Sequence, residues 1–158
     1  MDGGKNRNRA KVALFAVYLA ALLRITVFRH NFSLDHLFGG GTLNLSFFTG
    51  YIPLLAQKRW WRFLYLFVGN MAWFVPFGVF LRIRWNPGKG RKAIVWGFAL
   101  SFAIEGMQYL FGTGVSELDD LILNTLGTWI GWKAYPIIQE LIQKCLEGAK
   151  LWRQKGRR

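Results

Sequence analysis

The sequence predicts an all-α membrane protein with about four transmembrane helices and a C-terminal amphipathic helix. Three observations support this fold class. Of the 158 residues, 53% are hydrophobic and 17% are aromatic, which is more than a soluble domain of this size usually carries. The Lys and Arg residues stand in short blocks, as they do in membrane proteins. The uncharged segments between these blocks are long enough to cross a hydrocarbon core.

The first predicted span, residues 12–28, follows a basic segment and is interrupted by Arg24. A secretory signal peptide is the alternative interpretation, because basic residues also precede the apolar part of such peptides. No small-x-small cleavage site follows here, so a retained helix is favoured.

The second span, residues 63–81, contains 19 residues without a formal charge. At about 1.5 Å per residue it covers a hydrocarbon core of about 30 Å. The third span, 93–111, is interrupted by Glu105. The fourth, 118–135, is expected to end or bend at Pro136. Together these spans form one domain over residues 1–158.

Basic residues in the short loops predict the orientation. Four Lys or Arg residues precede residue 12 and five lie in the loop 82–92, whereas the loop 112–120 has none and carries three acidic residues. The N-terminus and the C-terminal tail are therefore expected in the cytoplasm. Residues 29–61 form a long outer connection. Residues 137–158 form a basic amphipathic helix that would contact anionic lipids of the inner leaflet.

Some chemistries are disfavoured by the residues themselves. The net charge of +13 would suit a nucleic-acid-binding protein, but the basic residues do not interleave along one exposed face, so we expect no nucleic acid partner. The single cysteine, Cys145, excludes an intramolecular disulfide. His30 and His36 beside Asp35 lack further ligands, so we expect no metal and no cofactor.

Polar residues inside the spans are the candidate site, because an ionisable group in hydrocarbon is costly unless it is paired or hydrated. Counted from the cytoplasmic end of each span, four of them lie 12 or 13 residues along, roughly 18–20 Å above the inner boundary. These four are Arg24, Asn70, Glu105 and Asp120. One residue from each span therefore reaches a common level.

Spacing within the spans supports a shared pocket. Two spans carry polar stripes at helical spacing: Ser101, Glu105 and Gln108 on the third, and Asp120 and Asn124 on the fourth. Gly127 and Gly131 form a small-xxx-small pair that lets another helix approach closely. Mutual neutralisation and interhelical hydrogen bonding are the alternative to a functional role for these polar groups.

Four short motifs cover nearly the whole chain. They are Asn44-Leu45-Ser46-Phe47-Phe48, Asn70 followed by Phe74-Val75-Pro76-Phe77-Gly78, Ser101-x-x-x-Glu105-x-x-Gln108, and Asp119-Asp120-Leu121-Ile122-Leu123-Asn124-Thr125-Leu126-Gly127. In this order they resemble the motifs of the VanZ-like family of bacterial membrane proteins. Within the second motif, we assign Pro76 and Gly78 to helix packing. The chain departs from the family pattern at Phe47, where relatives carry Pro, and in lacking an Arg shortly upstream of Asp119.

The resemblance implies a bacterial plasma-membrane protein connected with the cell envelope and with low-level resistance to lipid-tailed glycopeptides such as teicoplanin. Our leading hypothesis is binding of an envelope lipid or lipid-linked precursor, with Arg24 pairing an anionic oxygen and Glu105 orienting Arg24. The full set of candidate ligand-binding residues is Arg24, Asn44, Asn70, Ser101, Glu105, Gln108, Asp120 and Asn124.

Two other functions stay open. Glu105 and Asp120 could act as general acid and base on a lipid phosphate or glycan ester, although the sequence offers no obvious activated nucleophile. The same carboxylates could line a proton or solute pathway. With only four short helices, such a pathway would need a small pore or a homo-oligomer.

Overall fold

A computed structural model describes residues 2–29, 32–38, 40–85 and 87–155. The chain is 79% helical, which confirms the prediction of an all-α fold. The long helices are α1 (Asp2–Thr26), α3 (Trp60–Arg84), α4 (Gly90–Phe111) and α5 (Leu118–Lys155). The connections contain the short helix α2 (Ile52–Ala56), the strands β1 (Thr42–Asn44) and β2 (Val115–Glu117), and the 3-10 turns Leu34–His36 and Pro87–Lys89.

Two helices of the described chain, Trp60–Arg84 and Pro87–Phe111, are long and apolar enough to cross a membrane. They contain the predicted second and third spans. α1 and α5 have the necessary length, but charged residues interrupt their apolar segments. Four spans therefore remain a prediction.

The four long helices alternate in direction. Tyr18 of α1 donates a hydrogen bond of 2.7 Å to the carbonyl oxygen of Trp73, while Phe15 stacks on Phe80, so α1 runs antiparallel to α3. α4 likewise runs antiparallel to α5, because Ser101 meets Asn124 while Ala93 packs near Trp132. The C-terminal ends of α1 and α4 consequently lie beside the N-terminal parts of α3 and α5.

α3 and α5 run parallel and pack backbone against backbone. A Cβ atom at Gly127 would collide with the carbonyl oxygen of Met71, and one at Gly131 with that of Val75. From the opposite helix, a Cβ at Gly78 would collide with the backbone of Thr128. The expectation that small residues allow close approach is thus met, and the partner helix is α3.

The other end of the bundle is filled by apolar side chains. Phe77, Leu81, Ala93 and Trp132 form a buried cluster there, and the guanidinium of Arg82 lies 5.1 Å from the centre of the Trp132 ring. A second buried cluster, built on Leu22, Val27, Phe74 and Ile104, lies closer to the polar residues.

The fourth span was expected to end or bend at Pro136. The helix does not end there, because α5 continues through Pro136 to Lys155. Its 38 residues span about 57 Å, about twice the thickness of a hydrocarbon core. The side chains described beyond Pro136 are exposed. Arg157 and Arg158 of the basic tail lie outside the described residues, as does His30.

An outer strap, residues 40–48, crosses the end of the bundle where α1 and α4 finish. β1 of this strap pairs in parallel with β2, with Leu43 opposite Ser116. The amide N–H of Gly41 donates a 2.9 Å hydrogen bond to the carbonyl oxygen of Tyr109. Only glycine fits at position 41, because a Cβ would lie 2.6 Å from that same oxygen. This two-stranded element was not predicted from the sequence.

Candidate functional site

A small polar cavity lies beneath the outer strap, among the four long helices. Its volume is about 50 Å³. It is lined by Leu22, Thr26, Arg29, Asn70, Trp73, Phe74, Ile104, Glu105, Gln108, Asp120 and Asn124. Five of the eight predicted ligand-binding residues therefore line one cavity, namely Asn70, Glu105, Gln108, Asp120 and Asn124.

Asn70 and Asp120 connect α3 to α5 at this cavity. The side-chain amide of Asn70 donates a hydrogen bond to the Asp120 carboxylate. Tyr51 lies close by, buried in the outer connection, and Asn70 also hydrogen bonds with its hydroxyl. Burial, together with the negative charge of Asp120, raises the pKa of Tyr51 to about 12. The Tyr51 hydroxyl therefore stays neutral in the physiological range.

Glu105 connects α4 to the strand β2. Only 6% of Glu105 is exposed, and its Oε2 accepts a 3.0 Å hydrogen bond from the backbone N–H of Glu117. The two carboxylates of Glu105 and Asp120 thus line the same cavity from different helices. A buried charge is costly without partners, so the hydrogen bonds from the Glu117 N–H to Glu105 and from Asn70 to Asp120 lower the cost of placing acidic residues here.

Two amide side chains hold the helices around the cavity together. Asn124 donates a 3.0 Å hydrogen bond to Oγ of Ser101, which is fully buried. Gln108 donates a 3.2 Å hydrogen bond to the carbonyl oxygen of Thr26 at the end of α1. Ser101 is not among the residues that line the cavity, so its structural role is to join α4 to α5.

Arg24 is not part of this site, contrary to the expected pairing with Glu105. It is exposed, and its guanidinium donates to the carbonyl oxygen of Phe28. At about 100° per residue, Arg24 stands about 200° around α1 from the buried Leu22, so it faces away from the bundle.

Arg29 is the cation that lines the cavity instead. It lies just beyond the end of α1, where its Nε donates a 3.1 Å hydrogen bond to the carbonyl oxygen of Ile25. From the sequence, Arg29 was expected in the outer connection, residues 29–61. Its helical spacing could have indicated the site, because Arg29 follows Leu22 by seven residues and Thr26 by three, and both of these also line the cavity.

Asn44 lies in the outer strap rather than in the cavity wall. Its side-chain amide donates a 3.3 Å hydrogen bond to Oε1 of Glu117, and its Oδ1 accepts from the backbone N–H of Ser46. Asp119, which was not among the predicted site residues, accepts the backbone N–H of Phe48 at 3.0 Å with both carboxylate oxygens. Asn44 and Asp119 therefore fasten the strap over the site.

Pro76 and Gly78 lie on different faces of α3. Gly78 is buried against α5, as expected for a packing residue. Pro76 is exposed and lines an apolar groove of about 350 Å³ between α1 and α3, together with Phe15 and Tyr18. The helix-packing role assigned to Pro76 from the sequence stays a prediction.

The cavity is acidic overall. Glu105 and Asp120 line it, with Glu117 and Asp119 close by, while Arg29 is the basic residue among the described lining residues. A volume of about 50 Å³ holds a few water molecules or one small polar group of a larger ligand. No group of three or more His, Cys, Asp or Glu residues in the described ranges could hold a metal ion.

Comparison with known proteins decides the family. The VanZ/LLP1 family matches residues 15–139, which contain α3 and α4 entirely and parts of α1 and α5. The chain belongs to the VanZ/LLP1 family. The resemblance inferred from the four motifs is therefore confirmed. Protein VanZ of Enterococcus faecium is 27% identical to this VanZ/LLP1 chain over 124 residues, which cover 77% of this chain and 71% of that protein. No solved structure matches.

Proposed function

We propose that this VanZ/LLP1 protein crosses the bacterial plasma membrane four times and binds one polar group of an envelope lipid or lipid-linked precursor in its outer cavity. Through this binding it would contribute to resistance against teicoplanin-type glycopeptides. Family membership supports the resistance association. The alternating directions of α1, α3, α4 and α5 support four spans with both termini on one side, and the basic residues of the loops favour the cytoplasm as that side.

One observation carries the binding proposal. Carboxylate, amide and guanidinium groups from separate parts of the chain line the same cavity beneath the outer strap. A polar side chain that only joins helices need not border an unfilled space, and Ser101, which bonds with Asn124, is not among the lining residues. Arg29, Glu105 and Asp120 make hydrogen bonds too, but each also borders the unfilled volume, and polar side chains directed at a cavity inside a membrane usually mark a ligand site.

Susceptibility measurements in a bacterial host test this function. The wild-type chain should raise the inhibitory concentration of teicoplanin, whereas Glu105→Gln and Asp120→Asn should not. Glu147→Gln, in the exposed part of α5, is the matched control and should behave as wild type. Native mass spectrometry of the purified proteins should show a co-purifying lipid that both cavity variants lose. Retained resistance in both cavity variants at equal protein amounts would contradict the proposal.

An acid and base enzyme is the second candidate, because Glu105 and Asp120 both line one cavity. In that reaction one carboxylate would accept a proton while the other donates one to a leaving group. Incubation of the purified protein with lipid-linked precursors tests it. Product formed by wild type but not by Glu105→Gln would favour catalysis over binding.

A proton or solute pathway has less support. Phe77, Leu81, Ala93 and Trp132 fill the bundle between the cavity and the cytoplasmic end. We therefore favour binding from the outer half of the membrane.

At the cytoplasmic end, we propose that the basic residues of the tail attract anionic inner-leaflet lipids, as the composition predicts.

A further inference from the structure

A second, apolar groove lies against the opposite side of Glu105. Its volume is about 240 Å³, and it runs between the outer strap, α4 and the start of α5. Its apolar walls are formed mainly by Leu43, Leu45, Phe102, Tyr109, Leu118 and Leu121. Glu105 lines both this groove and the polar cavity, so the two spaces meet at one carboxylate.

The groove opens sideways, toward the region that the bilayer occupies in the proposed orientation. Phe102 is 63% exposed and Leu45 is 66% exposed, although both are apolar. Glu105 is 13 residues from Lys92, so it lies roughly 20 Å above the inner boundary and about 10 Å below the outer one. At that depth the solvent is hydrocarbon. The occupant that fits the groove is therefore a hydrocarbon chain.

The polar atoms at the groove restrict what the chain can carry. Glu105 and Glu117 contribute carboxylates, and none of the described lining residues is Lys, Arg or His. A phosphate would be repelled by these carboxylates, and a charged ammonium would have to lose its hydration about 10 Å inside the hydrocarbon. A hydroxyl group can donate to a carboxylate at a much lower cost of dehydration.

We propose that this groove binds a neutral lipid alcohol, with its hydrocarbon chain against Phe102 and Leu121 and its hydroxyl donating to Glu105. The inference rests on the proposed function and specifies its ligand class. The lipid would enter laterally from the bilayer, pass below the outer strap, and present its hydroxyl at the border of the polar cavity.

Gly106 offers a direct way to block the groove. It lines the groove, and a Cβ at this position would meet no atom within 4 Å. Gly106→Leu should therefore fill the groove without disturbing the helix packing. Gly69→Leu on α3 is the matched control, because a Cβ there also meets nothing within 4 Å and Gly69 does not line the groove.

Photo-crosslinking of the full-length protein in phosphatidylcholine nanodiscs tests the ligand class. The probes are a diazirine-bearing C16 alcohol, its methyl ether, its phosphate monoester and the corresponding primary amine. We expect the alcohol to label peptides containing Phe102 or Leu121, with about tenfold less labelling by the methyl ether, which lacks the donor. Gly106→Leu should lose the labelling, and Gly69→Leu should keep it.

Equal labelling by all four probes, or stronger labelling by the phosphate or the amine, would overturn the proposal. Unchanged labelling of Gly106→Leu would overturn it as well. These failures are distinct from a failure of the cavity function, which is measured by the teicoplanin susceptibility of Asp120→Asn. A groove that does not select the alcohol leaves that measurement unaffected.

Discussion

Asn70 on α3 donates a hydrogen bond to the carboxylate of Asp120 on α5. Asn70 directly precedes Met71, whose backbone contacts Gly127, and Asp120 lies about two turns before Gly127 on α5. The pair therefore has two roles at once. It closes one side of the polar cavity, and it sets the alignment of the two helices that pack most closely.

Removal of the Asn70 amide should destabilise the protein through Asp120. We expect Asn70→Ala to lower the free energy of unfolding by about 1–3 kcal/mol, because a carboxylate loses its donor in a largely buried site. Thermal unfolding in detergent measures this effect. In an Asp120→Ala background the same substitution should cost much less. Equal costs in the two backgrounds would show that the hydrogen bond does not stabilise the fold.

A large side chain at one of the glycines that contact α3 should separate α3 from α5. Gly127→Leu would force the side chain into the backbone of Met71, and we expect a loss of at least about 1–3 kcal/mol of stability or failure to fold. Size-exclusion chromatography of the detergent-extracted protein monitors folding. Gly148→Leu is the control, since a Cβ at Gly148 meets nothing within 4 Å. A folded Gly127→Leu protein with wild-type stability would refute the close packing.

The two arginines near the end of α1 should differ in their effect. Arg29→Ala removes the cation from the cavity wall, so it should reduce teicoplanin resistance to the level of the empty host. Arg24→Ala removes an exposed guanidinium and should leave resistance near wild type. Inhibitory concentrations at matched expression levels compare the two. The reverse result would restore the assignment of Arg24 to the site.

Asp119 should control the outer strap. Asp119→Ala removes the acceptor of the Phe48 backbone N–H, a hydrogen bond to a charged group that contributes about 1.5–3 kcal/mol. Phe48 has a φ of 59°, a conformation that non-glycine residues rarely adopt, so loss of this bond should free the strap. We expect faster proteolysis within residues 40–48. Asp35→Ala, at an exposed turn, is the control and should not change the cleavage rate.

The four-span topology can be tested with single cysteines. In a Cys145→Ser background, Thr49→Cys in the outer connection should react with a membrane-impermeant maleimide added to intact cells. Gly88→Cys, in the loop before α4, should react only after the cells are permeabilised. Labelling of both positions in intact cells would show that α3 does not separate them across the bilayer, which would contradict the proposed topology.

The helices were predictable because their signal is local. An uncharged segment such as 63–81 identifies a helix from composition alone, and close approach of another helix at Gly127 and Gly131 follows from small residues at helical spacing. The structure was needed to identify that helix as α3. The outer strap was not predictable in this way. Its pairing joins residues 42–44 to 115–117, and only the folded bundle brings these distant segments together.

The site was only partly predictable, because the sequence indicates the depth of a residue more directly than the face of the helix on which it lies. Counting residues from each cytoplasmic boundary gave the depth of Asn70, Glu105 and Asp120, but depth does not determine which face of a helix a residue occupies. Arg24 has the right depth and the wrong face. Arg29 has the right face, but it follows the last helical residue of α1, so a prediction based on the span alone excluded it.

The way α1 is held has a consequence for access to the bundle interior. α3 and α5 are joined through their backbones, whereas α1 meets its neighbours through long side chains such as Phe15, Tyr18 and Leu22. The cavity's arginine is carried by this more loosely attached helix. A small tilt of α1 would withdraw that positive charge and widen the polar cavity, while the contact of α3 with α5 at Gly78, Gly127 and Gly131 stayed intact. The bundle thus combines a rigid frame with one adjustable wall.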